Sequence, residues 1–433
     1  MGDDDAGAKR IRLEECRRQG GGGEDGGPDL ISRLPDEVLG DIITLLPTRD
    51  GARTQAISRR WRPLWRAAPL NLQVDESIST QERKRIIFAT KVLSDHPGPA
   101  RRFALPCFRL RNRFAKIDGW LRSPALTGLQ EIKFSYSCSE DYHLPRPMPP
   151  VTILEDALHS LLSGCSVLES LLLHQTEGIG RLRISSPTLR SIGFQGQRRS
   201  SDAIKFQELV IEDAPCLKRL LLLDPERVPA TIRVMKAPKL EIVGMLSAGI
   251  SKLQLGTTVF REMIALSLTT SMRTVKVLAL QYLGPNLDSV VGFLKCFPCV
   301  EKLYITSHLE KNMKNAWSYS PLDPIECLEL HLKKVVVKNY RGMRPDVDFA
   351  KFFILNAKVL KEMDFGVTNS CNDKWMADQR RRLQLDNKAS PDARFAFGIG
   401  GYDNLSAPNF SKVDDPFEWQ KKEYFLRFAR LLN

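Results

Sequence analysis

Residues 186–192 read SPTLRSI, 214–220 APCLKRL, 237–243 APKLEIV and 297–303 FPCVEKL. One pattern stands four times: a proline, one free residue, an aliphatic residue, two mostly polar residues, and a second aliphatic residue that opens an apolar run. The aliphatic pair recurs without the proline as Leu129-Gln-Glu-Ile132, Leu168-Glu-Ser-Leu171 and Val275-Lys-Val-Leu278. Leu168 to Leu189 is 21 residues, Leu189 to Leu217 is 28, and Leu217 to Leu240 is 23. Those spacings fit a repeat period of roughly 20–29 residues, in which each unit supplies one short strand and a return segment, often helical. One such unit cannot bury its apolar face, so neighbours stack into a curved solenoid.

The array is irregular. It lacks the asparagine of regular leucine-rich repeats, and the 39 residues from Leu129 to Leu168 carry an insertion. That insertion holds Pro145-Arg-Pro-Met-Pro-Pro150, a loop, and then a helical pattern of Leu154, Ala157, Leu158, Leu161 and Leu162. The competing reading is a doubly wound α/β domain with coincidental leucine motifs. The repeated proline-to-leucine phase favours the solenoid. The expected fold class is therefore α/β, an irregular leucine-rich-repeat solenoid of parallel strands with return helices.

Upstream, residues 34–65 read LPDEVLGDIITLLPTRDGARTQAISRRWRPLW. Pro35 suits the first position of a helix, and Asp36 and Glu37 place negative charge in its first turn, where the helix dipole favours it. Val38, Leu39, Ile42, Ile43, Leu45 and Leu46 crowd more than one helix face, so this helix buries surface on at least two sides. Pro47 stops it. Thr48 is an expected N-cap for a second helix and Ser58 for a third, which carries Trp61, Leu64 and Trp65. A unit this small needs a partner or a staple. No cysteine lies between Cys16 and Cys107 to staple it. Its apolar excess packs either on the rest of the chain or on a partner.

The segment resembles the F-box. The residues that carry the resemblance are Leu34, Pro35, Asp36, Glu37, Val38, Leu39, Ile42, Leu45, Leu46, Pro47, Arg59, Arg60 and Trp61, with the plant-like run Ser58-Arg59-Arg60-Trp61-Arg62-x-Leu64-Trp65. Gly51 and Ala52 depart from it, standing where the family carries larger or more helix-forming residues. The resemblance implies a three-helix module that docks a Skp-type adaptor and, through it, a cullin. The adaptor-binding set it implies is Leu34, Pro35, Val38, Leu39, Ile42, Leu45, Leu46, Ile57, Trp61, Leu64 and Trp65.

Residues 325–400 change character. A valine-rich strand over Leu332 to Val337 meets a turn at Tyr340-Arg341-Gly342, and Phe349, Phe352, Phe353, Leu355, Ala357 and Leu360 then give a broad apolar helical face. Leu360-Lys-Glu-Met363 repeats the array motif. With Asn356-Ala357-x-Val359-Leu360-Lys361-x-Met363, this stretch is similar to the FBD module of plant F-box proteins. Further on, Asp415, Pro416 and Glu418 form a helix-start signal. Phe417, Tyr424, Phe425, Phe428 and Leu432 would form a stripe capping the solenoid end. The expected organisation is a disordered Gly-rich basic tail at 1–28, the F-box at 29–75, repeats at 76–324, an FBD at 325–400, and a loop with a capping helix at 401–433.

Function classes narrow as follows. No apolar run approaches the roughly 20 residues that span a bilayer, and residues 1–29 lack the apolar core of a signal peptide. Nine cysteines, an odd number, read as reduced thiols of the nucleus or cytoplasm. Cys296-Phe-Pro-Cys299 is a lone pair without a second pair at zinc spacing, so no metal is expected. No phosphate loop, dinucleotide fingerprint or nucleophile motif is present, and the six histidines are scattered, so neither catalysis nor a cofactor is expected. The net charge of +13 is spread along the chain. A basic nuclear scaffold or nucleic-acid-binding repeat protein is the alternative, its best stretch being RRFALPCFRLRNRFAKIDGW at 101–120. The reading adopted is an interaction protein: the F-box binds an adaptor, and the repeats and FBD hold an unknown protein substrate.

Overall fold

The computed structural model describes residues 30–75, 77–96, 99–105, 114–135, 151–174, 180–195, 206–223, 229–307, 323–367, 372–399 and 414–418. The expectations placed on residues 1–28, on the 145–150 loop and on Tyr424, Phe425, Phe428 and Leu432 lie outside them.

The repeated motif is the core of the array. From Leu129 and Ile132, through Leu220, Val243 and Leu303, to Leu360 and Met363, its first and fourth positions are buried. The fourth position is each time the second residue of a strand, so one short pattern sets both the burial and the strand register. The strands form a long parallel sheet of 12 in the order β1 (Leu70–Gln73), β2 (Ala100–Leu105), β3 (Glu131–Ser135), β4 (Ser170–His174), β6 (Ser191–Gln195), β8 (Arg219–Leu222), β10 (Ile242–Ser247), β14 (Val277–Gly284), β15 (Lys302–Ser307), β16 (Lys334–Tyr340), β17 (Glu362–Val367) and β18 (Arg394–Ile399). The order never reverses along the chain. A doubly wound sheet would have a switch point where it does, so the solenoid reading holds.

Return segments are of two kinds, and only one was expected. Helices return the chain at the two ends: α4 (Glu82–Asp95), α5 (Phe114–Leu121) and α6 (Val151–Gly164) early, and α7 (Leu287–Cys296), α8 (Glu326–Leu330), α9 (Arg344–Asn356) and α10 (Asp373–Leu383) late. Between them strands return it. A second sheet runs in the order β13 (Ile264–Ser267), β12 (Thr258–Arg261), β11 (Lys252–Leu255), β9 (Thr231–Val234), β7 (Glu208–Asp213), β5 (Arg181–Ser185). The cause is alternation with a period of two. Leu182 and Ile184, Ile232 and Val234, and Leu253 and Leu255 point into the core shared with the long sheet. Arg181, Arg183 and Arg233 point away from it, and Arg233 reaches Glu208 on the neighbouring strand at 2.7 Å. Where the second sheet ends, β12 and β13 fold back antiparallel, and Phe260 stacks on Phe293 of α7 with ring centroids 4.3 Å apart.

The strands of the FBD-like stretch extend the same sheet, β16 pairing with β15 in parallel register. Tyr340-Arg341-Gly342 is the turn foreseen, and Gly342 adopts a φ of +68°. The Tyr340 hydroxyl donates to Gln379 of α10 at 2.8 Å, and Arg382 donates to the Gly342 carbonyl at 2.6 Å. Leu355 points outward from α9, while Ala357 and Leu360 lie beyond the helix and are buried in the following turn. The buried face of the helix instead takes in Val347, Ala350 and Ile354 beside Phe349, Phe352 and Phe353.

The motif predicts a sharp contrast between adjacent positions. Leu220→Ala should lower the unfolding free energy by about 2–5 kcal/mol. Lys218→Ala, two residues earlier and solvated, should change it by less than about 1 kcal/mol. Urea unfolding at constant slope measures both.

Candidate interaction faces

Three helices precede the solenoid: α1 (Asp36–Leu45), α2 (Thr48–Thr54) and α3 (Trp61–Ala67). The expected side-chain caps are absent here. The N-cap positions of α2 and α3 are Pro47 and Arg60, and neither makes a capping hydrogen bond. Thr48 instead donates its hydroxyl to the Asn71 carbonyl, and the Asn71 amide donates to the Leu46 carbonyl at 3.3 Å. These bonds tie the helices to β1, the first strand of the long sheet. Arg60 ties them to one another. Its guanidinium donates to the Asp36 carboxylate at 2.6 Å and to the Ser32 and Leu34 carbonyls at 2.8 and 2.6 Å.

The eleven residues expected at the adaptor surface divide into three groups. Leu39, Trp61 and Trp65 are buried in the core shared with the solenoid, together with Ile43. The structure gives them a packing role, because α1 and α3 seal the end of the array and their inner faces are spent there. Leu34, Leu46 and Leu64 are half-buried, and Leu34 and Leu64 pack against that core. Pro35, Val38, Ile42, Leu45 and Ile57 are exposed, with Leu45 at 74% and Ile57 at 64%. Val38, Ile42 and Leu45 stand at i, i+4 and i+7, one stripe of α1 lying about a third of a turn around the helix from the Leu39–Ile43 stripe. Leu30 and Ile31, which the sequence reading passed over, are also exposed apolar residues just upstream. Their signal was two aliphatics ahead of the Leu34-Pro35 start.

Gly51, a departure from the resemblance, has a cause. A Cβ on it would stand 2.4 Å from Cζ3 of Trp65. The indole fills the place of a side chain at 51.

A second face lies on the long sheet. Its inner residues join the main core, while Leu172, Leu221, Ile242, Val277, Ala279, Tyr304 and Val336 form a separate apolar cluster on the outer face, and Phe417 belongs to it. Residues 414–418 lie on this face. The Asp415 carboxylate accepts from the Tyr304 hydroxyl at 2.8 Å and from Lys302 at 2.8 Å. Lys334 donates to Glu418 at 3.1 Å, and Lys302 stands 3.6 Å from it. The rings of Phe417 and Tyr304 are 5.9 Å apart between centroids. Phe417 was expected at the solenoid's end as part of a cap; it sits on the sheet because its two acidic neighbours meet two lysines there. Burial disfavours the charged forms of Lys302, Lys334 and Glu418, yet their ion pairs outweigh it. Asp415 and Glu418 hold Lys302 above the usual lysine pKa, Glu418 does the same for Lys334, and the two lysines hold Glu418 below the usual carboxylate value.

Other candidates resolve into packing. In the basic stretch at 101–120, Phe103 and Trp120 are buried, and the Trp120 indole donates to Thr90 at 3.1 Å. Phe108 and the Phe114 side chain lie outside the described residues. The two sulfurs of the lone cysteine pair part company: Cys296 is buried, its pKa pushed by that burial to about 12, and Cys299 is half-buried. Cys299, Glu326 and His331 bring ligand-type atoms within 4.8 Å of one another. Both Glu326 oxygens face the fork of Arg273, at 2.5 and 3.0 Å, which already supplies the positive charge a metal would bring. His96 and His159 serve as local hydrogen-bond partners, of the Trp65 carbonyl at 3.2 Å and the Arg183 N–H at 3.0 Å. No described helix is long and apolar enough to cross a membrane.

Comparison with known proteins finds three matched regions. Residues 31–73 match the F-box domain, residues 148–305 match the repeat family described as "FBD-associated F-box protein At5g56370, LRR repeats", and residues 320–365 match the FBD. The chain is an F-box/leucine-rich-repeat/FBD protein. Its relatives in Arabidopsis thaliana include the FBD-associated F-box protein At1g66310, 28% identical over 53% of this chain and 58% of the relative. The F-box/FBD/LRR-repeat protein At1g13570 is 26% identical over 44% and 52%. The F-box/FBD/LRR-repeat protein At4g00160 is 26% identical over 86% of this chain and 94% of the relative. This chain thus spans about half the length of the first two and nearly all of the third. The F-box/LRR/FBD chain places its F-box directly on the first strand of its repeats, without a linker between α3 and β1 beyond residues 68–69.

Two outcomes are expected. Gly51→Ala gains about 1 kcal/mol of helix propensity but overpacks against Trp65 at a cost of about 1–3 kcal/mol, so it destabilises. Trp65→Leu should cancel that overpacking, and a double-mutant cycle should show a coupling of at least about 0.5 kcal/mol. Docking of 414–418 should be flat through neutral pH. Glu418 has a lowered pKa, so its contribution is full above the ordinary carboxylate range and is lost as pH falls through the lowered value. Lys302 and Lys334 have raised pKa values, so theirs is full below the ordinary lysine range and is lost as pH rises through the raised values. A fluorophenylalanine at position 417 should report both limits by its chemical shift.

Proposed function

We propose that this chain is the substrate-recognition subunit of a Skp–cullin–F-box ubiquitin ligase and that it acts by binding, not by catalysis. The observation that carries the reading is the division of α1. Leu39 and Ile43 are committed to the core, whereas Val38, Ile42 and Leu45 are left on the surface of a module matching the F-box domain. An exposed apolar stripe on a small helical unit marks a protein interface. In this reading the adaptor covers the stripe and links the chain to a cullin, while the repeats and FBD hold a protein target. Tethering raises the local concentration of a charged conjugating enzyme at the target to the order of mM, without any chemistry by this chain. The odd count of nine cysteines supports work in the nucleus or cytoplasm, where thiols stay reduced.

The test is co-purification with a Skp-type adaptor. The wild-type chain should form a one-to-one complex. Val38→Asp with Ile42→Asp should abolish it while leaving the unfolding midpoint nearly unchanged, because both side chains are already exposed. Trp61→Ala is the contrasting control: it should cost about 3–5 kcal/mol of stability, as a buried aromatic does. A folded wild-type chain that fails to bind the adaptor would overturn the reading.

A further inference from the structure

The outer face of β15 and β16 has the make-up of a peptide site. Lys302 and Lys334 supply two cations at equivalent register positions on neighbouring strands. Tyr304 and Val336, again paired across the strands, supply a buried apolar floor and a hydroxyl donor. Residues 414–418, Asp-Asp-Pro-Phe-Glu, use all four: one carboxylate on Lys302 and Tyr304, an aromatic ring in the apolar cluster, and a second carboxylate on Lys334. The partners are far apart in sequence, Lys302 and Asp415 by 113 residues. The contact is therefore a docking of one segment on a preformed sheet, not a local turn. Its chemistry is that of strand-surface recognition: a buried aromatic anchor for affinity, flanked by charge pairs that fix register.

We propose that this face is the target-binding site, that it recognises a protein segment bearing a carboxylate, an aromatic residue two positions on and a second carboxylate after it, and that residues 414–418 are its internal occupant, which a target must displace. The proposal rests on the receptor reading for the word target. The site itself is read independently of the adaptor.

The experiment uses the full chain and a labelled Asp-Asp-Pro-Phe-Glu peptide, followed by anisotropy. Opening the site with Asp415→Asn and Phe417→Ala should raise peptide affinity at least about tenfold over wild type. Adding Lys302→Glu and Lys334→Glu to the opened chain should lower it again by about tenfold or more, the equivalent of 1.4 kcal/mol. Raising the salt concentration should weaken binding, as expected for partly exposed charge pairs, and a peptide with alanine for phenylalanine should not bind. If the opened chain fails to unfold cooperatively, Glu418→Lys, at an exposed position, serves as the opening variant. Equal binding to wild-type and opened chains, or binding indifferent to both lysine reversals, would overturn the proposal; so would no binding to either opened form. Adaptor co-purification on the same preparations separates this outcome from failure of the receptor reading.

Discussion

Everything in this molecule hangs on one backbone bond made again and again. The residue after the first motif leucine donates its N–H to the carbonyl of the same residue one unit earlier: Glu169 to Gln130, Arg190 to Glu169, Lys218 to Arg190, Glu241 to Lys218, Lys276 to Glu241, Glu301 to Lys276, Lys333 to Glu301 and Lys361 to Lys333, each at 2.8 Å. The chain leaves and re-enters this line through returns of very different length and kind, yet the step between neighbours is constant. Parallel strands tolerate that, because only the strand and its buried leucines must match, and the return need only close the loop. Side chains at the same position add to the line where their charges alternate, as between Lys333 and Glu301 at 2.7 Å, which holds Glu301 below the usual carboxylate value.

That constancy explains what could be read from sequence and what could not. The motif leucines are the residues the ladder fixes, so their spacing gave the array and its later units. The units at β1 and β2 escaped notice because LNLQ and ARRFAL lack the four-residue pair. The strand returns escaped for a different reason. Arg181-Leu-Arg-Ile and Thr231-Ile-Arg-Val alternate plainly, but four residues are too few for periodicity to separate a return strand from a turn of helix. Strand returns serve the units of 21, 28 and 23 residues between Leu168 and Leu240 and, as three strands, the longer unit from Leu240 to Val275.

The F-box illustrates a harder limit. Six apolar residues in nine positions state that a helix has two buried faces, and the sequence says nothing about which face meets which neighbour. The partition follows from tertiary placement alone. Once α3 runs into β1, Leu39 and Ile43 must turn towards the array, and Val38, Ile42 and Leu45 are left outside. Gly51 belongs to the same logic. Read alone it is a weak helix residue; read with Trp65 it is the clearance that lets a large ring close the seam. A residue that looks like a defect in one element can be a requirement of the next one.

The outer face of the sheet carries the argument one step further. Lys302, Tyr304 and Lys334 are unremarkable in sequence, because their partners stand 84 to 113 residues away. A tethered occupant imposes a threshold on any competitor. If tethering gives residues 414–418 an effective concentration on the order of mM, then a target at μM concentration must bind the open face about a thousandfold more tightly than the segment does, or bring contacts elsewhere on the array. Short acidic segments with one aromatic residue are common in proteins, and a bare pair of lysines over an apolar floor would accept many of them. An internal occupant raises the bar against all of these equally. Selectivity then falls to the surfaces on either side of β15 and β16, where the long sheet continues and a longer partner can add to the shared motif.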